Sequence, residues 1–290
     1  MVDVDEFLFW KEQRMRRYWI VSVALVVAAG LAVTVPGAAQ ARTRPFTRVW
    51  YGPEHLQTVD VYPASSPGSP LVVLVHGGAW RSDDHAWNGK EALALRAAGD
   101  AVFVVNYRSD SPTQPAFPME VNDVIAGTEW SIHHGETYDA DPRKVVYVAG
   151  SAGSTLASLA VEKLNSAEHR TIRAVVTLSG AMDFTMLDPL DAEQAQAVGC
   201  RSTACPIAKE QADGPAGHLT PHNCPADWLT INGTHERTPL SQALAMYDAL
   251  RDARCRATFV QHPGHAHAWQ YWDAEFSTIV SFINSSMRGS

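Results

Sequence analysis

The stretch Val145-Val146-Tyr147-Val148-Ala149-Gly150-Ser151-Ala152-Gly153-Ser154-Thr155-Leu156-Ala157 decides how the rest of the chain is read. Its first half is an apolar, β-branched run, the pattern of a strand buried in a parallel sheet. It turns through small residues into an Ala/Leu segment of helical character. A serine on such a strand-to-helix turn has its hydroxyl exposed above the sheet edge. Its neighbours must be small, because a side chain at Ala149 or Gly153 would meet the adjoining strand or helix. Ala149-Gly150-Ser151-Ala152-Gly153 is the nucleophile-elbow pattern G-x-S-x-G, with alanine at the first glycine position. The same residues would also serve as a glycine-rich helix start that caps or binds an anion. The other strand ends decide between the two.

The chain has 290 residues, 46% of them hydrophobic and 19% charged, which suits one large α/β domain. A formal net charge of -8 leaves no electrostatic footprint for nucleic acid. No internal repeat or charge block stands out. At the N-terminus, Lys11, Arg14, Arg16 and Arg17 precede an uncharged, mostly apolar run from Tyr18 to Val35. Ala39-Gln40-Ala41 then has the small-residue pattern of a signal-peptidase site. Residues 1–41 are therefore expected to be a signal peptide, and 42–290 the mature, exported domain. Met15-Arg16-Arg17 makes a better charged leader than the acidic residues before it, so Met15 is the expected translation start. The alternative is an uncleaved membrane anchor over residues 18–35. With cleavage, no stable membrane partner is expected.

Export makes the even set Cys200, Cys205, Cys224 and Cys255 read as disulfides. Three pairings are possible. Cys224 precedes an apolar run at Trp228–Asn232, and Cys255 precedes one at Ala257–Gln261. If those runs are neighbouring parallel strands, these two cysteines lie within bridging reach, and Cys200–Cys205 is left as a local loop staple.

Strand signals at Arg48–Tyr51 and Gln57–Tyr62 suggest an antiparallel edge. Leu71–Val75, Ala101–Val105, Val145–Ala149, Ala174–Leu178, Trp228–Asn232 and Ala257–Gln261 then alternate with helical segments near 87–98, 118–133, 152–163, 239–253 and 275–287. This is the rhythm of βαβ units, predicting an α/β fold with a mostly parallel central sheet and helices on both faces. Residues 183–226 break the rhythm, with two cysteines, several prolines and glycines and no strong strand. They are expected to form a small cap over the carboxyl ends of the strands.

In such sheets the ligand site lies outside those carboxyl ends. His76-Gly77-Gly78-Ala79-Trp80 follows one strand, and its paired glycines allow successive N–H groups to converge on one point. Gly78, Ala79 and Ala152 are thus the expected backbone donors to a developing oxyanion. Glu236, in Asn232-Gly233-Thr234-His235-Glu236, is the expected acid that orients a histidine, with Asp183 as the alternative. His267 is the expected general base, with His265 as the alternative, and His262 ends the last strand. The order Ser151…Glu236…His267 is the one an elbow serine requires. No metal-ligand spacing stands out. Trp80, Trp87, Trp269, Tyr271 and Trp272 are expected either to flank the site or to be core.

With these residues in hand, the mature chain resembles an α/β-hydrolase. It is most similar to the esterase/lipase branch with a His-Gly-Gly oxyanion motif: acetyl esterases, acetyl-xylan or feruloyl esterases, and hormone-sensitive-lipase-like enzymes. The resemblance covers roughly residues 48–285. It rests on His76-Gly77-Gly78-Ala79-Trp80, Asn106-Tyr107-Arg108, Phe117-Pro118 with Asp123-Val124, Asp141-Pro142, Ser151-Ala152-Gly153, Gly233-Thr234-x-Glu236, Pro239 and His267-Ala268-Trp269. The family implies a serine–histidine–acid triad, with no metal and no organic cofactor. The expected partner is a small-molecule or acylated-carbohydrate ester. The sequence departs from it at Ala149, Ser154, Ala79 and Glu236, the last where aspartate is usual. His-Gly-Gly-x-Trp also resembles kynurenine formamidases, so an amidase, formamidase or peptidase is the second reading. A non-catalytic binding protein on the same fold is the third.

Overall fold

The computed structural model describes residues 45–288, except 82–87, 112–113, 166–169, 188–189, 201–202, 204, 207–208, 210–213 and 225–226. The expected signal peptide, the start at Met15, the alternative anchor and Trp87 lie outside the described residues.

The described strands are β1 (Thr47–Trp50), β2 (Thr58–Tyr62), β3 (Ser69–Val75), β4 (Ala101–Val105), β5 (Ala140–Gly150), β6 (Ile172–Leu178), β7 (Asp227–Gly233) and β8 (Arg256–His262). They form one sheet in the order β1-β2-β4-β3-β5-β6-β7-β8. The first two pairings, β1 with β2 and β2 with β4, are antiparallel. Every pairing from β4 to β8 is parallel.

Helices α1 (Gly89–Ala98), α2 (Ala116–His134), α3 (Ala152–Leu164), α4 (Ala192–Ala197), α5 (Leu240–Asp252) and α6 (Trp272–Arg288) complete the described elements, with short 3-10 turns between them. Alternation along the strands sends Leu71, Val73 and Val75 to one face and Val72 and Leu74 to the other. The first face is covered by apolar residues of α2, α3 and α5, including Val124, Leu156 and Met246. The second is covered by α1 and α6 through Leu95, Trp272 and Ile279. Burial on both faces is why β3 reads as a continuous apolar run: Leu71 to Val75 are all 0% exposed.

One strand is longer than its sequence pattern predicts. β5 begins at Ala140, paired with Ser69, and its register against β3 shifts between Pro70 and Leu71. The irregularity takes in the polar residues Asp141 to Lys144, where Arg143 and Lys144 both pair with the Asp141 carboxylate. These neighbours hold Asp141 down at about 2, the Arg143 hydrogen bond being the larger cause.

Between β6 and β7 the described residues contain no strand. They hold single turns at Phe184–Leu187 and Pro215–Gly217 and the short α4, which starts in a capping box between Asp191 and Gln194. Leu190, Ala195, Ala197 and Val198 are buried in the same core as α2 and α3. Disulfides join Cys200 to Cys205 and Cys224 to Cys255, with Cα atoms 5.7 and 6.1 Å apart. The second crosses the entrances of β7 and β8, which pair from Asp227 opposite Arg256. This is the pairing expected from strand adjacency. Among the described residues, no helix is long and apolar enough to cross a membrane.

Candidate active site

Ser151 stands between β5 and α3 with φ 54° and ψ -128°. A non-glycine residue in that region costs on the order of 1–3 kcal/mol and persists only where the surroundings enforce it. Two contacts do so. The Ser151 N–H donates to the carbonyl of Leu178, 2.7 Å away at the end of β6. Gly153 packs so closely under β3 that a Cβ there would lie 2.3 Å from the His76 carbonyl oxygen and 2.4 Å from that of Val75. Ser154 is fully buried; its hydroxyl bonds the Ala149 carbonyl at 2.9 Å and accepts the Leu178 N–H at 3.1 Å.

His267 Nε2 lies 2.9 Å from Ser151 Oγ. Its Nδ1 is hydrogen bonded to Glu236 Oε2. An ionised carboxylate can only accept, so Nδ1 carries the proton and the Nε2 lone pair faces the serine hydroxyl. The Glu236 side chain is 0% exposed. Its other oxygen, Oε1, accepts the Ser179 hydroxyl at 2.7 Å and the Gly233 N–H at 2.6 Å. The loops after β5, β7 and β8 thus bring Ser151, Glu236 and His267 into one hydrogen-bonded line.

Neither alternative residue joins that line. Asp183 turns into a local bend, accepting the N–H and hydroxyl of Thr185 at 3.0 and 2.6 Å. His265 is exposed, with Nδ1 on the His235 carbonyl at 2.8 Å. His262 closes β8 and pairs with Glu275 at 2.8 Å.

Sequence reasoning missed Ser179. It follows β6 with φ 57°, is buried, and sits at the centre of a polar network. Besides donating to Glu236, its oxygen accepts the N–H of Ala268 at 2.8 Å and lies 2.7 Å from the Tyr271 hydroxyl. Tyr271 also reaches the Ile231 carbonyl at 3.0 Å. Burial pushes the Tyr271 phenol well above its ordinary value, so it remains a donor. Ser179 therefore touches both the acid and the residue after the histidine. The available signal was its position at a strand's carboxyl end, but a lone serine there has no distinguishing spacing.

The turn after β3 takes left-handed dihedrals at three successive residues, with φ 126° at Gly78, 53° at Ala79 and 61° at Trp80. Gly78 and Ala79 line the same cleft as Ser151, and Ala152 is the first residue of α3. The turn is braced from below. Tyr107 stacks on His76 with ring centroids 4.2 Å apart, and its hydroxyl donates to the His76 carbonyl at 2.6 Å. The Arg108 guanidinium grips Asp123 with two 2.8 Å hydrogen bonds, the Arg108 N–H adds one at 3.1 Å, and Gln57 another at 2.8 Å. Asn106-Tyr107-Arg108 and Asp123 thus support the strand end rather than enter the cleft.

The cleft, of about 430 Å³, is lined by His76, Gly77, Gly78, Ala79, Ser151, Arg237, His267, Ala268, Trp269 and Gln270. Of the aromatic residues considered to flank it, Trp269 does so, packed so tightly that a Cβ on Gly150 would lie 2.5 Å from its ring. Trp80, Tyr271 and Trp272 are core: Trp80 packs against Phe117 and Phe184, and the other two join the layer under α6.

Comparison with known proteins fits this geometry. The BD-FAE family model matches residues 59–212, more than half of the chain. The chain belongs to the BD-FAE family. Its BD-FAE region runs from β2 through the elbow into the connection after β6. Among curated proteins, it is 25% identical over 271 residues to esterase LipC of Mycobacterium tuberculosis, covering 83% of this chain and 65% of that one. It is 31% identical over 108 residues to a kynurenine formamidase of Meyerozyma guilliermondii, covering 37% and 39% of the two chains. The chain spans less than two thirds of the length of these curated relatives.

Among solved structures, a truncated carbohydrate esterase from gut microbiota superposes with a TM-score of 0.70 at 20% identity, covering 83% of this chain and 95% of that one. Esterase B of Lactobacillus rhamnosis does so with a TM-score of 0.70 at 19% identity, covering 84% and 86%. The shared architecture is the α/β-hydrolase fold expected of this BD-FAE member.

Proposed function

We propose that this protein is an exported serine hydrolase that cleaves carboxylic esters through an acyl-enzyme. The observation that carries the reading is the line from Ser151 through His267 to the buried Glu236. Ser151 Oγ attacks the ester carbonyl carbon while its proton passes to His267 Nε2. Glu236 holds the ring in the required tautomer and stabilises the imidazolium. The N–H groups of Gly78, Ala79 and Ala152 stabilise the tetrahedral oxyanion, each contributing about 3 kcal/mol in the transition state. Collapse breaks the bond to the alcohol, which leaves with the proton from His267. Water then enters, gives a proton to the same nitrogen and bonds to the acyl carbon; the acyl–Oγ bond breaks, the acid leaves, and His267 returns the proton to Ser151 Oγ.

The esterase names of the relatives and structural neighbours support the ester substrate, and the carbohydrate esterase among them supports an acylated sugar. Export is supported by the Ala39-Gln40-Ala41 pattern and by the two disulfides. The connection at 183–226 acts as the cap of the catalytic domain at 42–290. A second reading keeps the triad but takes an amide or formamide, favoured by the local likeness to a kynurenine formamidase.

The test is turnover of a p-nitrophenyl ester series from acetate to palmitate, with Ser151→Ala beside it. Serine-dependent hydrolysis favouring short chains is expected. A protein inert on every ester but active on formyl amides would establish the second reading instead.

A further inference from the structure

The described cleft wall contains one permanently charged side chain, Arg237, and no carboxylate. Arg237 follows Glu236 directly, and the Glu236 carboxylate is fully buried and held by Ser179, Gly233 and His267. The arginine's backbone is thereby fixed to the catalytic acid. Its side chain is 61% exposed and ion-paired with Glu193 of α4, through one nitrogen of the guanidinium. α4 is set by its capping box, so the guanidinium is steered toward the connection after β6. An exposed pair of this kind is weakly held and screened by solvent. The remaining N–H donors of a planar guanidinium match a carboxylate bidentately, and the single contact with the half-buried Glu193 does not occupy them. Gln270, also in the wall, accepts the His267 N–H on Oε1 at 2.8 Å, so its amide NH₂ is the end left for a ligand. A cation in the catalytic cleft of a chain with net charge -8 opposes the overall field and gives the site its own sign.

We propose that Arg237 selects esters that carry a carboxylate elsewhere in the molecule. The inference rests on the ester-hydrolase reading above. The substrate anion takes the place of Glu193 on the guanidinium, while the scissile carbonyl lies against Ser151.

Two charge-differing, nearly isosteric pairs test it: 4-acetoxybenzoate against 4-acetoxybenzamide, and mono-4-nitrophenyl adipate against 4-nitrophenyl adipamate. The quantity read is the ratio of kcat/KM, anionic over neutral, in the full exported protein. The expected ratio is about five or more in at least one pair at low salt, falling toward one in about 0.5 M salt. Arg237→Gln is expected to abolish the preference, Arg237→Lys to keep part of it, and Glu193→Gln, which frees the guanidinium, to raise it. Equal or neutral-favouring turnover in both pairs, or a preference that survives Arg237→Gln, would overturn the inference and leave the esterase reading standing. Failure to hydrolyse any of the four compounds would overturn both.

Discussion

The turn that carries Ser151 and the loops that carry Glu236 and His267 are held by different means. The turn is clamped by backbone: Gly153 lies against the carbonyls of Val75 and His76, and the Ser151 N–H is tied to Leu178. The proposed acid and base are placed by hydrogen bonds that converge on Ser179, Gly233 and Tyr271. The proposed nucleophile is therefore part of the fold itself, and losing its clamp is a folding event. The acid–base half is a polar assembly resting on the fold, and its members can be removed one at a time with graded effects on turnover.

That difference can be broken first at Gly153. A branched side chain there meets two backbone carbonyls that cannot swing away, so Gly153→Val is expected to cost more than about 3 kcal/mol and to abolish soluble, cooperatively unfolding protein. A folded Gly153→Val protein with a wild-type melting curve would contradict the clamp. In the other half, Glu236→Gln is expected to leave the melting temperature near wild type. It should lower kcat by about 10³–10⁴-fold, because the imidazole loses its orienting charge. Stopped turnover assays beside thermal melts separate the two outcomes.

Ser179→Ala sharpens the contrast. It removes one donor to Glu236 and the acceptor of the Ala268 N–H, and a drop in kcat of about tenfold with KM held is expected. Removing a donor leaves more negative charge on the carboxylate facing His267, which favours the imidazolium. The rising limb of the kcat–pH profile should therefore move to higher pH, a shift that loosened packing alone would not produce.

The effect furthest from the cleft lies at the opposite end of the sheet. Asp100, at the entrance to β4, is buried, and burial raises its carboxyl to about 7. A carboxyl raised in the folded state contributes stability below its unfolded value near 4, and that contribution is lost as pH rises through about 7. Asp100→Asn should flatten this dependence. Its melting temperature should gain on wild type between about pH 4 and 7 and run parallel above, with the kcat profile unmoved. Parallel melting curves over the whole range would contradict the assignment.

The same difference governs what could be read from the sequence. The elbow was legible because its clamp is local: the small residues and the strand they follow are contiguous from Val145 to Ala157. The parallel sheet was legible because burial on both faces writes continuous apolar runs such as Leu71–Val75. Glu236 and His267 were legible as residue types at strand ends, and their alternatives Asp183 and His265 stood at strand ends too. What separates them is which loop reaches Ser151, and that depends on packing over more than 100 residues of intervening chain. Ser179 and Arg237 were not legible. Their roles come from contacts across the sheet edge with Glu236 and Glu193, and no spacing in the sequence encodes those. Trp80, Tyr271 and Trp272 were ambiguous for a related reason, since an aromatic at a strand end serves core and cleft alike until its neighbours are known.

Covalent labelling reads the reactivity of Ser151 directly. A fluorophosphonate probe reacts with a serine only where a base activates it and an oxyanion site receives the phosphoryl oxygen. Labelling of the folded full chain followed by peptide mass spectrometry is predicted to place the adduct on Ser151, to be lost in the unfolded protein and to be sharply slowed in His267→Ala. An unlabelled folded protein, or an adduct on a different serine with Ser151 free, would contradict the account.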